Sequence, residues 1–282
     1  MIGSADPPAN QMTRAVAIIG TGLIGASVGL AAKRAGTTQV MGWDPDPATL
    51  ALAAERGACT PADSMNGALA DSELVVVAAP VVELPAAVRA ALDGAPEGCT
   101  VTDVGSTKGA VCSAAAGDGR FVGGHPICGA ETHGPGRATA EIFDGATWFL
   151  TPVATTAPER FRRAHAFVTA IGARPVAIDP DAHDRLVAMT SHLPHVLANV
   201  LLNQTGSGRI EGHDPLSAAG GSLRDMTRIG GSNPRIWVDI FLDNRDALAA
   251  ALAEHRRRIE QVEAALAEGD AGFLARWIGE AS

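Results

Sequence analysis

The sequence predicts a doubly wound α/β domain followed by an all-helical one. Short apolar runs rich in valine and isoleucine recur as far as residue 178, without polar alternation. Such runs suit strands buried on both faces of a parallel sheet. Helical stretches repeatedly alternate with them, which suits β–α–β crossovers. Beyond Asp179 the strand signal nearly vanishes and helical periodicity continues to the C-terminus. The expected domains are therefore residues 13–178 and 179–282.

Residues 1–12, polar and proline-containing, are expected to form a tail. Residues 16–19 give the first strand, followed by a helix to about residue 35. A second strand covers 40–43 and ends at Asp44; residues 48–56 are helical. A third strand, 74–78, precedes a helix over 83–92. A fourth covers 100–104, with a helix beginning at Lys108. Residues 121–122, 148–150 and 175–178 are further strand candidates, with a helix over 159–170 between the last two. Residues 237–267 read as one long helix, charged on one face. Stretches 196–202 and 247–252 hold more apolar surface than a small helical domain hides, so a twin subunit is expected to cover part of it.

Composition narrows the function classes. The chain has 282 residues, a net charge of −9, 46% hydrophobic and 19% charged residues, as for a globular protein. That charge gives no electrostatic footprint for nucleic acid, and an anionic ligand would need a local arginine cluster. Residues 15–32 carry no charge, but Gly20, Gly22, Gly25 and Gly29 interrupt them. A buried strand turning into a buried helix explains the run, so no membrane association and a cytoplasmic location are expected. The four cysteines form no C-x-x-C pair and read as reduced, buried filler.

Five motifs carry chemistry. Gly20-Thr21-Gly22-Leu23-Ile24-Gly25 follows a strand, opens a helix, and has Asp44 nineteen residues beyond Gly25. In that context the loop marks a Rossmann-like dinucleotide-binding domain. Gly20 serves the turn, Gly22 lets backbone approach a pyrophosphate, Gly25 lets helix and strand pack, and Leu23 and Ile24 supply helix-start N–H groups. Asp44 suits ribose hydroxyls and repels a 2′-phosphate, which points to NAD. Asp103-Val104-Gly105-Ser106-Thr107-Lys108 ends the fourth strand, placing Ser106 at the ligand crevice; Lys108 reads as a solvated side chain.

His125, between Gly123-Gly124 and Pro126, is poorly explained as packing. An imidazole suits proton exchange with a hydroxyl as hydride leaves its carbon. Glu131 could hold a substrate group or tune a histidine. Ser191-His192-Leu193-Pro194-His195 lacks a zincin glutamate and an obvious third ligand, so no metal is expected. One of its histidines reads as a core residue and the other as a substrate ligand. In Gly220-Gly221-Ser222-Leu223-Arg224-Asp225-Met226-Thr227-Arg228, an arginine could grip a carboxylate bidentately.

Together these motifs, with His183-Asp184 and Ser232-Asn233-Pro234-Arg235-Ile236-Trp237, resemble the prephenate/arogenate dehydrogenase family of tyrosine biosynthesis. The resemblance spans residues 15 to about 244. It implies an NAD-binding domain followed by an all-helical dimerisation domain, a homodimer, and oxidative decarboxylation of a small-molecule substrate, prephenate or arogenate. It implies that His125 polarises the ring hydroxyl beside Ser106 and that Arg228 binds a carboxylate, with His195, Glu131 and Trp237 near the substrate side chain. A β-hydroxyacid dehydrogenase is an alternative, although the lysine acid usual there has no counterpart after Lys108. A non-enzymatic NAD sensor is another.

Overall fold

The computed structural model describes residues 13–128 and 134–280. The expected N-terminal tail lies outside them. The first part of the chain runs β1 (Ala15–Ile19), α1 (Leu23–Arg34), β2 (Gln39–Trp43), α2 (Pro47–Glu55), β3 (Thr60–Pro61), α3 (Met65–Leu69) and β4 (Leu74–Val77). It continues with α4 (Leu84–Gly94), β5 (Thr100–Asp103), α5 (Gly109–Ala114), β6 (Phe121–Pro126), β7 (Thr147–Thr151), α6 (Pro158–Ala170) and β8 (Arg174–Ala177). These strands form one sheet in the order β3-β2-β1-β4-β5-β6-β7-β8.

Strands β3 to β6 of that order are parallel, as the apolar runs require. Strand β7 departs from the expectation by lying antiparallel to β6. The reason is the connection: among the described residues it holds two short 3₁₀ turns, Pro135–Arg137 and Ala140–Phe143, and no crossover helix. A parallel pair needs such a crossover. Strand β8 returns parallel to β7 through α6.

Successive residues of the central strands serve opposite faces. Val16, Ile18, Leu74 and Val76 pack with Val28 and Ala31 of α1 and Phe167 and Val168 of α6. Ala17, Ile19, Val75 and Val77 pack with Leu69 of α3 and Leu84 and Val88 of α4. Every residue of β4 is fully buried, each large side chain contributing about 1.5–3 kcal/mol. From β1 the chain winds outward to β2 and β3, then crosses to β4 on the other side of β1. That reversal opens a crevice at the carboxyl ends of β1 and β4, where doubly wound sheets bind ligands.

The second part is helical: α7 (Pro180–Val187), a π turn (Ala188–His192), α8 (Leu193–Ser207), α9 (Gly221–Thr227), α10 (Pro234–Asp243), α11 (Arg245–Glu268) and α12 (Ala271–Gly279). Pro194 lacks an N–H for the α ladder, and the π turn widens the helix just before it. The single helix expected over 237–267 is in fact two. Asn244 breaks it, with φ −105° and ψ 29°, its buried amide pairing with His192 Nδ1 at 3.1 Å. By contacts, the chain forms two compact units. One holds the chain to Asp184 together with Asn233–Asp243; the other holds Arg185–Ser232 and the chain from Asn244. Helix α10 thus belongs with the sheet, where Thr107 Oγ1 donates to Asp243 Oδ2 at 2.6 Å. Among the described residues no helix is long and apolar enough to cross a membrane.

Candidate active site

The glycine loop joins β1 to α1 at the switch of strand order. Gly20 has φ +91°, and a Cβ there would strike the Ala78 carbonyl at the end of β4. A Cβ on Gly25 would collide with the Gly20 carbonyl oxygen, so α1 can approach the loop this closely only without one. Gly22 is different: a Cβ there meets nothing within 4 Å. Open space therefore lies against the backbone just where α1 begins. The N–H groups of its first turn, on Leu23 and Ile24 among others, have no carbonyl one turn back to receive them. This is a cradle for an anionic group, and it fits the pyrophosphate of a dinucleotide.

Asp44 follows β2 and is half-buried. Its Oδ2 accepts from Thr21 N at 2.6 Å and Thr21 Oγ1 at 3.3 Å, and its Oδ1 accepts from Asp46 N at 3.0 Å. The carboxylate therefore ties the second strand to the glycine loop. An ionised carboxylate offers about four lone-pair sites, so it retains capacity for a ribose hydroxyl.

Farther along the same sheet edge, the end of β5 holds a buried polar network. Lys108, read from sequence as solvated, is instead fully buried. Its ammonium pairs with Asp103 and donates to the Gly124 carbonyl at 2.7 Å. Asp103 also accepts from Gly124 N at 3.0 Å and Gly105 N at 2.7 Å. The Gly124 N–H is thereby tied to β5 and its carbonyl to Lys108, at the start of α5. The next residue is His125, half-buried near the end of β6. Ser106 lies half-buried on the loop between Asp103 and α5, which Lys108 and Asp103 hold against β6.

His125 Nδ1 lies 2.9 Å from Nε2 of His183, a fully buried residue of α7. His183 Nδ1 lies 2.8 Å from Asp184 Oδ1. Asp184 accepts from Lys108 N and Gly109 N, each at 2.8 Å. Phe149, the cross-strand partner of His125, meets the His183 ring edge-on at 5.4 Å. The sequence reading missed this chain of contacts. An adjacent His-Asp pair entering a helix was its one local signal.

The other named residues distribute over both units. Trp237, on α10, belongs with the sheet and stacks at a tilt on Phe241, 5.5 Å away. His195 and Arg228 belong to the helical unit. His195 opens α8 half-buried; burial pushes its pKa down, and Nδ1 lies 3.1 Å from the Ser191 carbonyl, leaving Nε2 as the acceptor edge. His192 is the buried core histidine of the pair. Arg228 is exposed at the carboxyl end of α9. Glu131 lies outside the described residues. Cys59, Cys99 and Cys112 are buried and Cys128 half-buried; burial pushes the Cys112 thiol up to about 11 and that of Cys128 to about 12, opposite to the lowered values of reactive thiolates.

Residues 28–177 match the family model described as prephenate dehydrogenase, nucleotide-binding domain. Residues 179–280 match that of prephenate dehydrogenase, dimerization domain. The chain is 32% identical to prephenate dehydrogenase of Bacillus subtilis over 277 residues, covering 95% of this chain and 74% of that protein. It resembles the crystal structure of Aquifex aeolicus prephenate dehydrogenase in complex with hydroxyphenyl propionate and NAD+, with TM-score 0.88, 26% identity and 97% of each chain covered. It also resembles arogenate dehydrogenase of Synechocystis, with TM-score 0.83, 25% identity and 94% and 96% of the two chains covered.

Proposed function

The chain belongs to the prephenate dehydrogenase family, and we propose that it oxidatively decarboxylates prephenate to 4-hydroxyphenylpyruvate, in tyrosine biosynthesis. It is an NAD-dependent oxidoreductase. The observation that carries this reading is the placement of His125 on the same carboxyl edge of the sheet as the glycine loop and Asp44. The chemistry that bound NAD would supply is acceptance of a hydride from the ring carbon that bears the hydroxyl. The chain's own residues then have two tasks. The loop backbone and Asp44 hold the dinucleotide. His125, with Ser106 beside it, accepts the hydroxyl proton as the carbonyl forms. Loss of carbon dioxide makes the ring aromatic, so positioning and proton transfer are what the protein must supply.

Arg228 is the candidate for a substrate carboxylate; His195, Glu131 and Trp237 are candidates for the side chain. Replacing Arg228 by alanine is expected to raise KM for prephenate about 10- to 100-fold with a smaller change in kcat, as loss of a charge-assisted contact does. An unchanged KM in steady-state assays removes Arg228 from the site.

The reading as a whole is tested by kcat/KM for prephenate and arogenate, each with NAD and NADP. Prephenate with NAD is expected to be the best combination. A preference for NADP would contradict the role given to Asp44, and a preference for arogenate would reassign the substrate.

The helical part serves homodimer formation in this reading. Met189, Val200, Leu266, Trp277 and Ile278 expose between 45% and 65% of their surface, apolar area that a second copy would cover. Sedimentation as a monomer at micromolar concentration would contradict it.

A further inference from the structure

We propose that His183 and Asp184 act as a positioning pair that fixes the tautomer and ring orientation of His125. The proposal rests on the reading of His125 as the proton acceptor. Asp184 receives two backbone N–H groups, from Lys108 and Gly109, at 2.8 Å each. Both oxygens of Asp184 thus accept hydrogen bonds, and the oxygen that faces His183 is an acceptor. The nitrogen of His183 facing it, Nδ1 at 2.8 Å, must then carry the proton. In a neutral imidazole the other nitrogen, Nε2, is then an acceptor. His125 Nδ1, 2.9 Å away, supplies the donor. With its proton on Nδ1, His125 presents the Nε2 lone pair, which is the form able to take a proton from a hydroxyl.

The pair is held as firmly as the ring it directs. His183 is fully buried, Phe149 fixes its plane edge-on at 5.4 Å, and its backbone N–H donates to Asp179 O at 2.8 Å. The two imidazoles meet at 70°, so each ring edge lies against the other's face or rim rather than stacking. Since the same Asp184 is anchored to the backbone at the start of α5, the relay ties His125 to the segment that follows Ser106. Misplacing His125 would therefore cost turnover even with its chemistry intact.

Two substitutions separate this role from bulk packing. His183→Gln places an amide oxygen where Nε2 lies and keeps an acceptor for His125. His183→Asn places its amide near Nδ1, keeps the Asp184 contact and removes that acceptor. His183→Asn is expected to lower kcat about 10- to 100-fold with KM for prephenate within about threefold, whereas His183→Gln recovers most of the loss. In a His125→Asn background neither is expected to lower the residual rate further, because both act through the same ring. Equal losses in the two variants, no loss in His183→Asn, or full additivity with His125→Asn would overturn the proposal. NAD binding and melting temperature, measured on each variant, identify a folding defect; loss of NAD binding and KM together with kcat would assign His183 a structural role. If His125→Asn itself turns over normally, the proton-acceptor reading falls and the positioning role with it. If His125→Asn is inactive and His183→Asn is normal, only the positioning role falls.

Discussion

Replacing His125 by asparagine is expected to lower kcat by about 10²- to 10⁴-fold while leaving NAD affinity within about twofold. The asparagine amide lies near the former Nδ1, within reach of His183 Nε2, so the buried histidine keeps a partner. What disappears is the basic nitrogen. The ring hydroxyl must then release its proton to water, and hydride transfer loses the support of an oxygen becoming a carbonyl. The glycine loop and Asp44 are remote in sequence and lie on other strands, so cofactor binding, read by fluorescence titration or calorimetry, should persist. Wild-type turnover in this variant would remove His125 from the chemistry.

The second large effect is on stability. Lys108→Met would leave Asp103 buried without its counter-charge, and equilibrium urea unfolding is expected to show a loss of about 3–5 kcal/mol. The lysine and aspartate are both fully buried, and the ammonium also satisfies the Gly124 carbonyl. Methionine matches the stem but supplies no donor to either acceptor. The Gly105 and Gly124 N–H groups still reach Asp103, which limits the loss without replacing the charge. A loss below about 1 kcal/mol, the value for an exposed ion pair, would contradict the buried network. Because Gly124 immediately precedes His125, the same substitution should also lower kcat, by loosening the strand that carries it.

How legible each feature was depended on whether its physics is local. Strands β1 and β4 were readable because burial on both faces demands unbroken Ala-Val-Ala-Ile-Ile and Leu-Val-Val-Val runs. The glycine loop was readable because a positive φ and close backbone packing admit one residue type. Strand β3, two residues long, and α3, five residues long, are too short to carry a period. The direction of β7 depends on a connection that lacks a crossover helix. The helix break at Asn244 goes with a contact to His192, 52 residues away, and that contact leaves no mark in the local pattern.

Lys108 shows the same limit most sharply. A lysine at a helix start ordinarily reaches water, and only the fold brings Asp103 and Gly124 to its ammonium. His183 carried no evident task in sequence, since its partner His125 is 58 residues distant on another element. Placement of Arg228 and His195 in one compact unit, and of Trp237 in the other, likewise follows from the return of α10 to the sheet.

The central claim is that hydride transfer to NAD is coupled to decarboxylation of prephenate. It is tested most directly by product stoichiometry, with NADH, carbon dioxide and 4-hydroxyphenylpyruvate quantified in one reaction of the purified protein. Equal amounts of all three are expected, and none in the absence of NAD. NADH formed without carbon dioxide, or prephenate left unconsumed in the presence of NAD, would contradict it.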